Sequence, residues 1–166
     1  MNNFIKRTIS GVGFAAVMLA AFLTNKFIFG AVMLFALVVM MWEFLRMTCG
    51  KEYKYSQILS ILAGTTLFTL VWLFKGFNFP GRLVILAFVP VFILMINSLY
   101  VKDKSRFNKF ANLYTAIIYI AVPWSVINFA AFGPEGEFNG MLLLSFFAII
   151  WGSDVGAYLF GITLGQ

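Results

Sequence analysis

Six long runs of apolar residues, separated by short polar loops, constrain the fold of this chain more than any other feature. They cover approximately residues 9–24, 27–45, 57–74, 83–101, 110–132 and 140–162. A helix needs about 20 apolar residues to cross a hydrocarbon core about 30 Å thick. The chain is 62% hydrophobic, which excludes an ordinary soluble domain. These runs predict an all-α, polytopic transmembrane helix bundle with about six spans.

The first apolar run is the shortest, and it follows Lys6 and Arg7 as the core of a cleaved signal peptide would. A second run begins almost at once at Phe27, and four more follow. We therefore predict that the first run is retained as a helix. Because the chain shows no internal repeat, low-complexity tract or soluble linker, residues 1–166 are interpreted as one transmembrane region.

Basic residues are divided unevenly between the two alternating sets of loops. One set holds nine and the other holds three: Lys6, Arg7, Arg46, Lys51, Lys54, Lys102, Lys104, Arg106 and Lys109, against Lys26, Lys75 and Arg82. Basic loops stay in the cytoplasm, so the N-terminus is predicted to be cytoplasmic. The net charge of +6 is then explained by orientation and by anionic lipid head groups, and we expect no nucleic-acid partner.

The chain contains no histidine, and Cys49 is its only cysteine. These two facts exclude Ser-His triads, HExxH zinc sites and internal disulfides within these residues. Any chemistry here therefore depends on carboxylates, hydroxyls, lysines, arginines or a bound metal ion.

Asp154 is the only charged residue between Gly140 and Gly165. An ionisable side chain inside a membrane span is costly and suggests a functional site. In the predicted orientation the sixth helix runs inward, so Asp154 lies about 21 Å below Gly140. About 9 Å of a 30 Å core then remains on the cytoplasmic side. The carboxylate is predicted to be reachable from the cytoplasm.

Small residues recur every four positions around this acid, at Ser153, Ala157, Gly161 and Gly165, and Gly152 and Gly156 extend the small surface. Such a stripe lets a neighbouring membrane helix approach closely. Asp154 and Tyr158 are four residues apart, so they share a helical face and are expected to come within hydrogen-bonding reach.

Three roles remain open for Asp154 on this evidence: partner of a cation on another helix, coupling carboxylate of a transporter, or ligand of a divalent metal. Mg²⁺ is commonly bound by one or two carboxylates together with substrate phosphates. The chain has no second acid in a comparable position.

Other polar residues inside the runs have simpler structural interpretations. Pro123 is expected to kink the fifth helix. Asn97 and Asn128 are expected to hydrogen-bond across helices. Glu43 precedes Arg46 by three residues, which predicts an ion pair within the second helix.

The terminal segment resembles a known motif. Residues 151–165 read Trp-Gly-Ser-Asp-Val-Gly-Ala-Tyr-Leu-Phe-Gly-Ile-Thr-Leu-Gly. They resemble the D-x-G-A-Y-x-x-G-x-x-x-G segment of bacterial phosphatidate cytidylyltransferases, the CDP-diacylglycerol synthases. Weaker similarities lie at residues 6–11, Lys-Arg-Thr-Ile-Ser-Gly, and at residues 42–44, Trp-Glu-Phe.

This resemblance implies a nucleotidyltransferase of phospholipid biosynthesis, which transfers CMP from CTP to phosphatidate and releases pyrophosphate. It implies that Asp154 is catalytic and binds Mg²⁺ or another divalent cation, and that four residues bind substrate: Ser153, Gly156, Tyr158 and Gly161. CTP, phosphatidate and membrane lipids are then the partners, and a homodimer is left open. The implied location is the bacterial inner membrane, with the site facing the cytoplasm.

The sequence departs from the family pattern in two respects. Ile162 stands where the family often has a basic residue. A further family signature, with a K-D pair, an H-G-G turn and a D-R-x-D sequence, is absent from residues 1–166. We therefore expect these residues to be the N-terminal portion of the enzyme and to be inactive alone. The alternatives are a small ion- or solute-coupled transporter using Asp154, and a non-catalytic membrane scaffold.

Overall fold

The computed structural model describes residues 3–100 and 107–164. Seven α-helices follow one another: α1 (Asn3–Leu23), α2 (Lys26–Cys49), α3 (Lys54–Phe77), α4 (Phe88–Ser98), α5 (Phe107–Thr115), α6 (Val122–Ala131) and α7 (Met141–Leu164). A 3₁₀-helix, Gly81–Ala87, leads into α4, and a π-helix, Ala116–Ala121, joins α5 to α6. The predicted all-α bundle is confirmed.

Five helical segments of the described chain are long and apolar enough to cross a membrane, and the apolar part of α1, Gly11–Leu23, is shorter. The chain is therefore an integral membrane protein.

The start of α2 is fixed by a local hydrogen-bonding signal. The Asn25 side chain accepts hydrogen bonds from the Phe27 and Ile28 amides, both at 3.0 Å, and so starts α2.

The helix α2 packs against α1, α3, α5 and the π-helix. Its buried side chains lie four residues apart along most of its length: Phe29, Met33, Leu37, Met41, Leu45 and Cys49. Side chains at this spacing form one continuous ridge, which fits between the surrounding helices.

Two glycines allow the central helices to come this close. A Cβ added to Gly64 of α3 would collide with the Met41 sulfur and would lie 2.9 Å from the Ala121 Cβ. A Cβ on Gly30 of α2 would lie 2.6 Å from the Trp72 ring. Small residues therefore hold α2 and α3 together, as is common between membrane helices.

Hydrogen bonds also cross between helices. The Asn97 amide donates to the Ser56 hydroxyl at 2.8 Å, which joins α4 to α3 and confirms the prediction for Asn97. The Ser60 hydroxyl donates to the Leu113 carbonyl at 2.7 Å, which joins α3 to α5.

The prediction for Asn128 is wrong. Its side chain is fully buried, but its amide donates to the Ser125 carbonyl of its own helix at 3.0 Å, and its Oδ1 has no hydrogen-bond partner among residues 3–100 and 107–164. The bond from α6 to α2 is made one turn earlier, where the Trp124 indole donates to the Met33 carbonyl at 2.9 Å. The Trp124 indole is longer than the Asn128 side chain, and it reaches from α6 to the backbone of α2.

Pro123 changes the hydrogen-bonding pattern of its helix. Proline has no N–H to donate, so the usual bond to a carbonyl four residues earlier is lost. Immediately before it, the Val122 amide donates to the Ile117 carbonyl, five residues back, and residues Ala116–Ala121 form the π-helix.

The predicted ion pair between Glu43 and Arg46 is also wrong, because no such pair forms in the described structure. The Arg46 guanidinium instead lies over the Trp42 ring, 5.3 Å from its centroid. Trp42 is four residues before Arg46 on the same exposed face, so stacking on the ring competes with the carboxylate.

Candidate functional site

The start of α7 is fixed by the turn that precedes it. The Asn139 amide donates to the Ala131 carbonyl at 2.8 Å, which ties the turn to the end of α6. The Asn139 side chain in turn accepts from the Met141 amide at 3.0 Å. This bond satisfies one of the free amides at the helix start and sets the direction of α7.

The first half of α7 packs against α1. Gly140 lies against the backbone of Phe22, so closely that an added Cβ would collide with it. The Phe147 ring contacts the rings of Phe22, Phe14 and Trp151, with centroid distances of 5.9, 6.1 and 5.3 Å. The contacts with Phe14 and Phe22 hold α7 against α1 at Phe147, and Trp151 extends the aromatic cluster one turn further along α7.

Beyond Trp151 the helix carries the predicted site residues on an open surface. Ser153, Asp154, Tyr158 and Gly161 are exposed, and Gly156 is half-buried. The structure therefore brings the five residues together within three turns of one helix. No described residue from another element covers Asp154, since none of the span Met141–Tyr158 is buried.

Asp154 has no hydrogen bond or ion pair with any residue in the described part of the chain. Tyr158, which is 68% exposed, does not bond to it. The expected hydrogen bond between these two side chains is therefore absent here, because nothing packs against either one to hold it in place. Both groups remain available to an external partner.

The prediction that a neighbouring helix approaches the small residues is wrong for the described part of the chain. A Cβ added to Gly152, Gly156 or Gly161 would meet no atom within 4 Å. Gly165, the last small residue of the stripe, lies outside the described residues. These glycines of α7 therefore have open space next to them, whereas Gly30 of α2 and Gly64 of α3 are closely packed.

The side chains around Asp154 could supply one ligand of a divalent metal site. Among the described residues, no group of three or more aspartate, glutamate, histidine or cysteine side chains is placed to hold a metal ion. Asp154 offers a single accessible carboxylate, which is the kind of ligand that Mg²⁺ accepts together with phosphate oxygens. The basic loop residues Lys102, Lys104 and Arg106 lie outside the described residues.

Sequence reasoning missed the role of Trp151. It lies three residues before Asp154 on the same side of α7, and its ring packs on Phe147, the residue of α7 that contacts the aromatic rings of α1. The sequence feature that could have indicated this role is an aromatic residue one helical turn before an isolated acid in a membrane span.

Comparison with known proteins gives one match. The sequence model of the cytidylyltransferase family matches residues 5–166. Searches of curated proteins and of solved structures give no match.

Proposed function

Because this chain belongs to the cytidylyltransferase family, we propose that it is part of an enzyme that transfers CMP from CTP to phosphatidate. The products are CDP-diacylglycerol and pyrophosphate. The observation that carries the proposal is Asp154: an exposed carboxylate without a partner among the described residues, on a membrane-spanning helix, within the matched region.

The open face around Asp154 supports this assignment. A phospholipid substrate must reach the site from the bilayer, whereas a nucleotide must reach it from water. Gly161 lies two turns after Asp154 on the same side of α7, and a Cβ added to it would meet no atom within 4 Å, which leaves room for such molecules along this side of the helix. With the predicted cytoplasmic N-terminus, Asp154 lies in the inner half of the membrane, where lipid head groups and nucleotides can meet.

The reaction joins two negatively charged molecules. A phosphate oxygen of phosphatidate forms a bond to the α-phosphorus of CTP, and the bond from that phosphorus to the bridging oxygen breaks, so pyrophosphate leaves. Positioning and neutralisation of charge supply most of the catalysis in reactions of this kind. Mg²⁺, when bound, would offset the charge of the phosphates.

We assign the residues of this face as follows. Asp154 would hold the metal ion, and Tyr158 would donate its hydroxyl proton to a phosphate oxygen. Ser153 has a second hydroxyl, about 100° around the helix from Asp154. Gly161, two turns after Asp154 on the same side, would keep the surface low enough for substrate to reach these groups, whereas Gly156 would contact substrate only on the opposite side of the helix. Further metal ligands are expected from substrate phosphates or from residues outside 1–166.

Replacement of the Asp154 carboxylate tests the proposal. In membranes that contain the complete gene product, Asp154→Asn should lower CTP-dependent formation of CDP-diacylglycerol by roughly 10²–10³-fold, the usual cost of removing one group that stabilises charge. The measurement is incorporation of labelled CTP into lipid, with protein level and thermal unfolding compared with wild type.

Glu135→Gln is the matched control, because Glu135 is an exposed acid on the turn before α7, at the opposite end of the span from Asp154. It undergoes the same chemical change and should keep wild-type activity. Full activity in Asp154→Asn would overturn the assignment. Loss of folding without a specific catalytic defect would favour the scaffold, and pH- or Na⁺-dependent uptake abolished by Asp154→Asn would favour the transporter.

A further inference from the structure

One exposed face of α2 is an apolar stripe that ends in an arginine. Four exposed side chains lead to Arg46 along this face: Ile28, Phe35, Val39 and Trp42. With 3.6 residues per turn, these four positions lie within about 40° of Arg46 around the helix axis. Arg46 is exposed as well. The C-terminal end of the stripe is therefore marked by a cation.

The length of the stripe places this cation at the edge of the membrane. Arg46 follows Ile28 by about 27 Å along the helix axis, and a hydrocarbon core is about 30 Å thick. The helix α2 is one of the segments that can cross such a core. Because a charge inside hydrocarbon is costly, the apolar stripe occupies the core and the guanidinium lies among the lipid head groups. Tryptophan is also enriched at that level, which fits Trp42.

The Arg46 guanidinium is oriented but not used within the described chain. Its central carbon lies 5.3 Å from the centroid of the Trp42 ring. Among residues 3–100 and 107–164 it has no hydrogen bond or ion pair. The ring restricts the motion of the guanidinium, and the N–H groups that do not face the ring stay available. A planar guanidinium held in this way can donate to two oxygens of one phosphate group.

The charges at this end of α2 favour an anion. Lys51 and Lys54 are exposed on the turn that follows the helix and at the start of α3. Glu43 is exposed one turn before Arg46, about 60° around the helix from it, and Glu52 is half-buried. Three exposed cations thus stand against one exposed acid between residues 42 and 54. Such an excess attracts anionic lipids at a membrane surface.

We propose that the Trp42–Arg46 pair binds the phosphate group of an anionic phospholipid. The guanidinium donates to the phosphate oxygens, the indole ring packs beside the glycerol, and the apolar stripe of α2 lies along the acyl chains. The occupant is a lipid because the cation ends a membrane-length apolar stripe, which offers nothing to a soluble phosphate.

The test is the choice of lipid by the whole chain. The protein is placed in nanodiscs made of equal amounts of dioleoyl phosphatidylglycerol and dioleoyl phosphatidylcholine, released into the gas phase and weighed intact with its retained lipids. Wild type should retain phosphatidylglycerol in preference to phosphatidylcholine. Arg46→Gln should lower the ratio of these two lipids by roughly fivefold, the contribution of about one cation at a membrane surface.

Three further variants separate the pair from charge in general. Arg82→Gln is the matched control, because it removes the same charge from an exposed arginine of the 3₁₀-helix, and it should leave the ratio unchanged. Trp42→Leu keeps an apolar side chain but removes the ring, and it should lower the ratio by roughly twofold. Arg46→Lys keeps the charge without the planar fork, so its ratio should lie between those of wild type and Arg46→Gln.

Equal ratios in wild type and Arg46→Gln would overturn the proposal. An equal fall in Arg82→Gln would also overturn it, because net charge rather than the pair would then select the lipid. So would displacement of phosphatidylglycerol by inorganic phosphate but not by chloride at the same ionic strength, because the ligand would then be a soluble phosphate. Phosphatidylglycerol is neither substrate nor product of the reaction proposed above, so the outcome is independent of the catalytic proposal.

Discussion

The helices α2 and α7 are both strongly apolar, but they differ in how far the bundle covers them. A third of the α2 span is buried, whereas none of the span Met141–Tyr158 is. Hydrophobic composition alone thus does not tell a central helix of a membrane bundle from a peripheral one. The neighbours that a helix acquires decide its place.

The glycines show the same contrast more sharply. Gly64 lies so close to Met41 and Ala121 that it has no room for a methyl group, whereas a methyl group added to Gly152 or Gly156 would meet no atom within 4 Å. The first lets α2 and α3 pack closely, and the other two lie where no described helix approaches α7. The difference indicates that the second half of α7 is shaped for something other than the described helices.

The largest difference between the two regions should appear when a phenylalanine is truncated. Phe68 is 1% exposed in α3, and Phe146 is 54% exposed in α7. Phe68→Ala should lower the free energy of unfolding by about 3 kcal/mol, the lower end of the usual range, because the gain from burial is smaller in a membrane. Phe146→Ala should change it by less than about 0.5 kcal/mol. Unfolding in mixed micelles measures both, and equal losses would remove the distinction.

A methyl group added to a glycine should have the next largest effect. Gly64→Ala forces a Cβ against Met41 and should cost about 1–3 kcal/mol. Gly152→Ala meets no neighbour and should stabilise its helix by up to about 1 kcal/mol, through helix propensity alone. The measurement is the shift in thermal unfolding in detergent. A loss in Gly152→Ala as large as that in Gly64→Ala would mean that α7 is packed against another surface.

Removal of a serine hydroxyl should have the smallest effect. Ser60 is bonded to the Leu113 carbonyl of another helix, whereas Ser145 donates to the Met141 carbonyl of its own helix at 2.9 Å. Ser60→Ala should cost about 0.6 kcal/mol, the average for a bond between membrane helices. Ser145→Ala should change stability hardly at all. Replicate unfolding curves can resolve this difference, and its absence would show that the Ser60 bond adds nothing to the packing of α3 on α5.

The helices were predictable because each apolar run between polar loops is long enough to be recognised by itself. The predicted run 57–74 lies within α3, Lys54–Phe77, and the predicted run 27–45 within α2, Lys26–Cys49. The π-helix was not predicted. Pro123 indicated a disturbance at that level, but the form it takes depends on how Gly64 and Met41 pack against the same segment.

The site was predictable in its residues and less so in its geometry. The structure brings Asp154, Tyr158 and the glycines onto one helix, as the spacing required. It does not form the bond between Asp154 and Tyr158 or place a helix against the stripe. The roles of these residues in binding metal and substrate stay predictions, which Asp154→Asn tests.

By itself the sequence determined that this chain forms apolar helices, because backbone groups in lipid must bond to one another and a helix satisfies them within one segment. It also determined that Asp154 is the one charge in the last span. Only the tertiary structure decided which glycines are packed, that Asn128 bonds within its own helix, and that Asp154 is left open. In a membrane the faces towards lipid and towards protein are both apolar, so the hydrophobic pattern that separates them in water is lost. Which face is buried then depends on contacts between helices far apart in the sequence.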